Sequence, residues 1–349
     1  MISADDSANR RYAKQMAVPE FGESAQAALA AATVAIIGCG ALGALQAELL
    51  TRMGVGALRI ADGDLVSLDN LHRQLLFTER DAAEGTPKVT AATERLKAIN
   101  SRVAVHVTAQ RITRENIAAF VEKADLVLDA TDNTATRFLI NDFCVRTKLP
   151  WIYAGVAGTG GLVFPVLPKE GPCLRCLYSD PPAEDDAATC AVNGILPTTV
   201  ALAVSLQIGQ AVRILNRTAK PGLLIRLNAW DASARATTVR RDPACPCCGA
   251  RRFEFLDAPP ASTPPLTTAV CSQRMIRIEA AFWGDGPFDA AHAVMAAHAH
   301  GATTERKGLL WIVTHEGRRI SLFPDGHLLV HDCTVPGEAM AAVRALFSP

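Results

Sequence analysis

Residues 33–74 read TVAIIGCGALGALQAELLTRMGVGALRIADGDLVSLDNLHRQ. The stretch opens on five apolar-leaning residues, Thr33 to Ile37, which predict a buried strand. Gly38-Cys39-Gly40-Ala41-Leu42-Gly43 follows, a G-x-G-x-x-G turn. A helix over 42–53 comes next, with apolar Leu42, Leu45, Leu49 and Leu50, and stops near Gly54 and Gly56. A second strand, ALRIAD, ends on Asp62. Gly38, Gly40 and Gly43 let the backbone turn tightly and approach a phosphate, and the helix start offers free N–H groups. Asp62 stands where an acid takes ribose hydroxyls. Alone, this turn suits a dinucleotide-binding oxidoreductase as well as an ATP-using enzyme.

Working outward, strand and helix alternate. Helices are expected near 87–99, 113–123 and 134–147, and strands near 103–109, 125–132 and 151–158. That rhythm predicts a mainly parallel sheet covered on both faces. After Gly160 the pattern becomes antiparallel, broken by a long helix from about Thr198 to Asn216. The predicted fold class is α/β: a Rossmann-like nucleotide-binding domain, read as ATP-binding once the resemblance given below is added, whose mainly parallel sheet continues into antiparallel strands, plus a small α+β C-terminal domain. The domain boundaries follow from composition: 1–256, a Pro-rich linker at 257–267, and 268–349. In the last unit strands are expected at 269–279, 308–315, 318–323 and 327–332, and helices at 287–299 and 336–347.

The 349-residue chain is 49% hydrophobic and carries 35 Lys+Arg against 35 Asp+Glu. Zero net charge argues against a nucleic-acid surface. The polar start, MISADDSANRRYAKQ, lacks an apolar signal core. The apolar run Val200 to Leu215 is interrupted by Gln207, Gln210 and Arg213, so it reads as a buried helix, not a membrane span. A cytoplasmic protein is expected, and its ten cysteines then suggest a metal or thiol chemistry before disulfides.

Two C-x-x-C knuckles, Cys173/Cys176 and Cys245/Cys248, lie about seventy residues apart. Together they supply a tetrahedral thiolate set for Zn²⁺ with no open position, hence a structural role. Cys248 is preferred to the adjacent Cys247 as ligand. Past Asp62, the run adds Asp64, Asn70, Arg73 and Gln74, more than a dehydrogenase needs. Lys88 begins the next helix, from where it can reach phosphate oxygens, with Arg73 on the other side. Asp132 stands at the carboxyl end of a strand, where α/β sheets bind ligands and where a carboxylate suits Mg²⁺.

Taken together these elements resemble the ThiF/MoeB/HesA family, bacterial relatives of ubiquitin-activating enzymes. The likeness rests on R-Y-x-K-Q (Arg11 to Gln15), G-x-G-x-x-G, D-x-D-x-V-x-x-x-N-L-H-R-Q (Asp62 to Gln74), G-x-P-K (Gly85 to Lys88) and D-x-T-D-N (Asp129 to Asn133). It continues through C-x-x-C at 173–176, Cys190 ahead of Gly194 to Pro197, and C-P-x-C at 245–248. It covers residues 10 to about 256. The resemblance implies adenylylation by ATP·Mg²⁺ of the C-terminal glycine carboxylate of a small ubiquitin-like sulfur carrier, with release of pyrophosphate, in preparation for thiocarboxylate formation. It assigns Asp62 to the ribose, Asn70, Arg73 and Lys88 to the phosphates, and Asp132 to Mg²⁺. It also implies a homodimer, with Arg11 and Lys14 reaching the partner subunit's ATP. The C-terminal unit shows no cysteine-centred anion-binding loop of the rhodanese kind, so a separate sulfur donor is expected.

Chemistry agrees: a carboxylate is already ionised at neutral pH, so positioning and charge neutralisation suffice. Cys190 precedes a helix whose N-terminus would lower its pKa, while Asp180, Glu184, Asp185 and Asp186 would raise it; it is a candidate for a covalent link to the carrier. Lys14 and Leu162 depart from the arginine and glutamine common in the family. Three other readings stay open: the same chemistry on a peptide C-terminus, an NAD-dependent oxidoreductase, and a non-catalytic scaffold. Six histidines cluster in the last unit, but His298 and His300 point different ways on one helix and do not form a metal pair.

Overall fold

The computed structural model describes residues 4–179, 181, 194–257, 266–269, 274–284, 286 and 288–347. Eight strands form the first sheet: β1 (Thr33–Ile37), β2 (Ala57–Ala61), β3 (Ala104–Thr108), β4 (Leu126–Asp129), β5 (Trp151–Ala157), β6 (Gly160–Val166), β7 (Leu223–Asn228) and β8 (Ser233–Thr238). Their order is β3-β2-β1-β4-β5-β6-β7-β8. Pairing is parallel from β3 through β5 and antiparallel from β5 onward. The order reverses between β1 and β4, so the crevice at their carboxyl ends is the switch point where such sheets take ligands.

The helices are α1 (Ala4–Met16), α2 (Gly22–Ala31), α3 (Ala41–Met53), α4 (Glu79–Glu84), α5 (Lys88–Ile99), α6 (Ile117–Phe120), α7 (Thr134–Thr147), α8 (Leu174–Leu177), α9 (Pro197–Leu215), α10 (Glu254–Asp257), α11 (Ala290–Ala299) and α12 (Pro336–Phe347). Alternate residues of β1 feed two cores. Val34 and Ile36 pack with Leu42, Leu50, Leu96 and Val204, while Ala35 and Ile37 pack with Phe138, Trp151 and Phe164. This is the period-2 alternation of a sheet buried on both sides. The long apolar helix α9 has a membrane-like length and hydropathy, yet it lies in the first of these cores. Its Gln207 is fully buried and donates to the carbonyl of Ile152 at 3.1 Å, while its side-chain oxygen accepts from Gln46 at 2.7 Å. A satisfied polar side chain of that kind marks a core helix.

A second, wholly antiparallel sheet follows: β9 (Thr267–Ala269), β10 (Met275–Ile278), β11 (Thr303–Lys307), β12 (Leu310–His315), β13 (Arg318–Leu322) and β14 (Leu328–His331). Its order is β11-β12-β13-β14-β10-β9. One face packs Ile276, Val313, Ile320, Leu328 and Val330 against α11 and α12. The other face adds Met275, Leu310, Ile312, Phe323 and Leu329 to the core that holds Val89, Ala92 and Leu96 of the first sheet's layer. The two sheets are separate; that core is common to both.

Several expected elements are corrected. The helix expected at 113–123 shrinks to four residues, because Asn116 takes the amide of Thr113 and donates to the carbonyl of Arg111. Such local side-chain bonds compete with helix initiation. The strand expected at 125–132 stops at Asp129, whose carboxylate accepts from the amide and hydroxyl of Thr131. The strand expected at 269–279 is two short antiparallel strands, β9 and β10. Strand β11, TTERK, was not expected: it is an edge strand without an apolar face, and edges carry charge.

Candidate nucleotide site

The glycine turn sits at the switch point, and each glycine has its own reason. Gly38 has φ +98°, and a Cβ there would lie 2.5 Å from the carbonyl oxygen of Ala130. At Gly43 a Cβ would collide with the carbonyl of Gly38, so this glycine lets α3 close on β1. Only Gly40 has room, its nearest neighbour being Gln74 Nε2 at 3.7 Å. That open side is where a phosphate can approach the backbone.

Asp62 follows β2 and is held against this turn. One carboxylate oxygen accepts from the amide of Cys39 at 2.7 Å, and the other from the amide of Asp64 at 2.8 Å. Burial raises its pKa, opposed by the charge of Lys88 and by these two amides. Each oxygen retains lone-pair capacity for a hydroxyl.

Asp64 is the hub. Lys88 Nζ lies 3.1 Å from one of its oxygens and Arg111 Nη2 lies 3.3 Å from the other. Burial would raise the pKa of Asp64, but the two cations outweigh it and hold the carboxyl well below its usual range. Burial equally disfavours the charged Lys88, yet Asp64 and Asp62 hold its pKa above the ordinary lysine value. Asp132 is exposed just past β4, and its charge is felt at both Lys88 and Arg111. The turn that carries Asp132 is fixed by Arg137, which donates to the carbonyl of Thr131 at 2.6 Å, lies 3.5 Å from Asp129 and stacks over Tyr153.

The segment after Asp64 folds back over the glycine turn. Asn70 and Gln74 are buried, and the side-chain oxygens of both lack a hydrogen-bond partner. Buried polar atoms of this kind are normally satisfied, so the one on Gln74, whose amide lies nearest Gly40, fits a pocket that receives a polar ligand. Arg73 is half-buried and donates to the carbonyl of Asp69 at 2.8 Å.

Thus Asp62, Asp64 and Lys88 converge on the turn of Gly38, Gly40 and Gly43, with Gln74 beside Gly40 and the charge of Asp132 felt at Lys88, while Asn70 is buried in the segment that leads to Gln74. Arg11 and Lys14 do not join them within the chain. Arg11 is exposed and donates to the carbonyl of Ile99, at the opposite end of α5 from Lys88. Lys14 is exposed on the same helix, α1. Cys190 lies outside the described residues. Sequence reading missed Arg111, Arg137 and Arg277. Arg111 sits just beyond β3, and a strand-end rule could have found it; Arg277 comes from the second sheet and had no local signal.

The cysteine cluster lies on the far face. The sulfurs of Cys173, Cys176, Cys245 and Cys248 are all within 4.8 Å of one another, with Cys173–Cys245 at 3.6 Å and Cys176–Cys248 at 3.4 Å. A zinc–sulfur bond of about 2.3 Å in a tetrahedron sets sulfur–sulfur edges of roughly 3.8 Å, so this set fits Zn²⁺. Cys247 instead accepts from Asn141 Nδ2 at 3.2 Å, and Asn141 also accepts from the amide of Leu174 at 2.8 Å.

A mixed sheet with a glycine turn, an acid at the end of β2 and a buried lysine after the crossover defines a nucleotide-binding α/β protein. Residues 12–247 match the ThiF family, and the chain belongs to that family. It is 33% identical over 326 residues to the sulfur carrier protein ThiS adenylyltransferase of Bacillus subtilis, covering 92% of this chain and 94% of the relative. It is 38% identical over 246 residues to the sulfur carrier protein adenylyltransferase of Thermus thermophilus, covering 68% of this chain and 90% of the relative. Among solved structures, Escherichia coli MccB bound to MccA-N7isoASN superposes with a TM-score of 0.59 at 23% identity, covering 69% of this chain and 74% of that one. At that identity the likeness is one of fold.

Proposed function

We propose that this protein is an adenylyltransferase that activates the C-terminal glycine carboxylate of a small ubiquitin-like sulfur-carrier protein with ATP. The observation that carries the reading is the Asp62–Asp64–Lys88–Arg111 constellation on the glycine turn of a ThiF-family chain, together with one relative named for that activity over 92% of the chain.

Asp62 would take the ribose hydroxyls and the amides of the glycine turn the phosphates. Asn70, Arg73 and Lys88 would neutralise the triphosphate. Asp132 would hold Mg²⁺, which supplies charge neutralisation on the phosphate oxygens. The carrier's carboxylate oxygen attacks the α-phosphorus, the bond to the bridging oxygen breaks, and pyrophosphate departs with that electron pair. No proton is transferred in this step. The four thiolates would hold a structural Zn²⁺. A homodimer, Arg11 and Lys14 facing the partner's nucleotide, Cys190 as a later carrier-linking thiol and a separate sulfur donor complete the proposal.

Pyrophosphate–ATP exchange is the test. Exchange should appear only when a Gly-Gly-ended carrier encoded by the same genome is added. Absence of exchange with every such carrier would overturn the reading. Exchange with a short peptide alone would move it to peptide activation.

A further inference from the structure

We propose that the second sheet braces the nucleotide site, and that Arg319 and Lys307 are positioning residues for Lys88. The inference rests on the functional reading above and goes beyond it, since both residues lie outside the stretch that matches the family.

Alternation decides which side chains of the second sheet face the first. On β14, Leu328 and Val330 pack on the helices and Leu329 on the shared core; on β10, Ile276 and Ile278 pack on the helices and Met275 on the shared core. By the same period Arg277 and Arg319, one step from their helix-facing neighbours, lie on the side of the nucleotide half. Arg319 Nη2 donates to the carbonyl of Glu84. Lys307 Nζ donates to the same carbonyl at 2.9 Å and pairs with the Glu84 carboxylate at 3.1 Å. Glu84 is the last residue of α4, where carbonyls lack helical partners and cations are favoured. Both cations therefore cap the turn Gly85-Thr86-Pro87 that delivers Lys88.

Contact is close on either side of Lys88. A Cβ at Gly85 would lie 2.9 Å from Arg319 Nη2, and one at Gly308 would lie 2.9 Å from Thr90. The opposite flank is stitched by backbone bonds: Val66 donates to the carbonyl of Thr86 at 2.8 Å and Lys88 to that of Asp64 at 3.0 Å. Lys88 itself has only 7% of its side chain exposed. A buried ammonium in so tight a place depends on its turn being held. Arg277, 4% exposed, pairs with Glu279 at 2.8 Å, and its charge is felt at Asp64. The second sheet thus acts on both members of the Asp64–Lys88 pair.

The test uses the full chain. ATP affinity is measured by calorimetry for wild type, for Lys307→Ala with Arg319→Ala, for the charge-conserving Lys307→Arg with Arg319→Lys, and for each in a Lys88→Ala background. The alanine pair should weaken ATP about tenfold, as expected for lost hydrogen bonds to charged groups. The conservative pair should recover part of that, and the alanine pair should add nothing once Lys88 is gone. Amide exchange of residues 85–90 should quicken in the alanine pair without nucleotide. Unchanged affinity and exchange, or a loss fully additive with Lys88→Ala, would overturn the brace. A wild-type chain that binds no ATP would overturn the functional reading as well; wild-type binding with an unaffected alanine pair overturns the brace alone.

Discussion

Lys88 and Asp64 form a 3.1 Å ion pair in which the lysine is almost wholly buried and the acid about a third exposed. Their backbones are joined as well, the amide of Lys88 donating to the carbonyl of Asp64. The pair therefore links the second acid past β2 to the helix-start lysine by two independent bonds. An incoming triphosphate would compete with Asp64 for the same ammonium.

Breaking this pair should affect stability and activity differently. Lys88→Ala is expected to lower carrier-dependent pyrophosphate exchange by about a hundredfold or more, the scale of a lost electrostatic stabiliser. Asp64→Asn leaves Lys88 and Arg111 without their shared anion. It should cost on the order of 2 kcal/mol, reduced from a fully buried pair because Asp64 is partly exposed. The sign with pH follows from the shifts. Asp64 is held low, so its contribution is present above its unfolded value of about 3.9 and is lost as pH falls through the folded one. Lys88 is held high, so its contribution is present below about 10.4 and is lost as pH rises through the folded value. Denaturant melts should show a wild-type advantage that is flat between about pH 4 and pH 10 and shrinks outside that window.

Gly40→Ala and Gly43→Ala should separate binding from folding. At Gly43 the new methyl meets backbone, so overpacking of about 1–3 kcal/mol or more is expected. At Gly40 the new methyl meets only ordinary contact, so stability should hardly change while ATP affinity falls about tenfold or more, because the methyl occupies the phosphate's approach. Thermal melts and calorimetry on both variants decide this. A Gly40→Ala protein that binds ATP normally would show that the phosphates lie elsewhere.

Metal content should follow the sulfur geometry. One zinc per chain is expected by elemental analysis, lost in Cys176→Ser and in Cys245→Ser and retained in Cys247→Ser. Cys247→Ser should cost about 1 kcal/mol, through its bond from Asn141. Chelation should lower the melting temperature without removing ATP affinity from the chains that stay folded, since the cluster packs on the sheet face opposite α3.

His331 should mark the second sheet's response to acid. Burial pushes its pKa down to about 4, helped by the charge of Arg319, and its Nε2 lies 2.8 Å from Ser321 Oγ. A depressed folded value means that neutrality favours the fold. The contribution is full above the unfolded value of about 6.5 and fades as pH falls towards 4. The difference in denaturation midpoint between wild type and His331→Gln should narrow over that interval.

Cys190→Ser should leave pyrophosphate exchange unchanged, because adenylylation consumes no thiol. A role in the later sulfur step would show as loss of thiocarboxylate formation alone. Loss of exchange would assign Cys190 to the nucleotide site.

Local rules made much of this legible. The glycine turn, Asp62 and the βαβ rhythm sit on contiguous residues with fixed spacing, and β1, α3 and β2 lie within a few residues of expectation. The Cys173/Cys176 and Cys245/Cys248 thiols converge although far apart in sequence, because each knuckle carries its own turn signal. What escaped was tertiary. Arg137 and Arg111 owe their places to turns after β4 and β3. Arg277, Lys307 and Arg319 matter only because the face of the second sheet that carries them docks on α4 and α5, and strand β11 has no hydrophobic pattern to announce it.

The shared core has a further consequence for biosynthesis. Translation delivers the glycine turn and Lys88 more than two hundred residues before Lys307 and Arg319, which cap the Lys88 turn. Until β12, β13 and β14 emerge, the surface that Leu310, Ile312, Phe323 and Leu329 later cover stays uncovered. A chain in which the second sheet has not yet docked would therefore present a sticky apolar surface beside the Lys88 helix to chaperones and proteases.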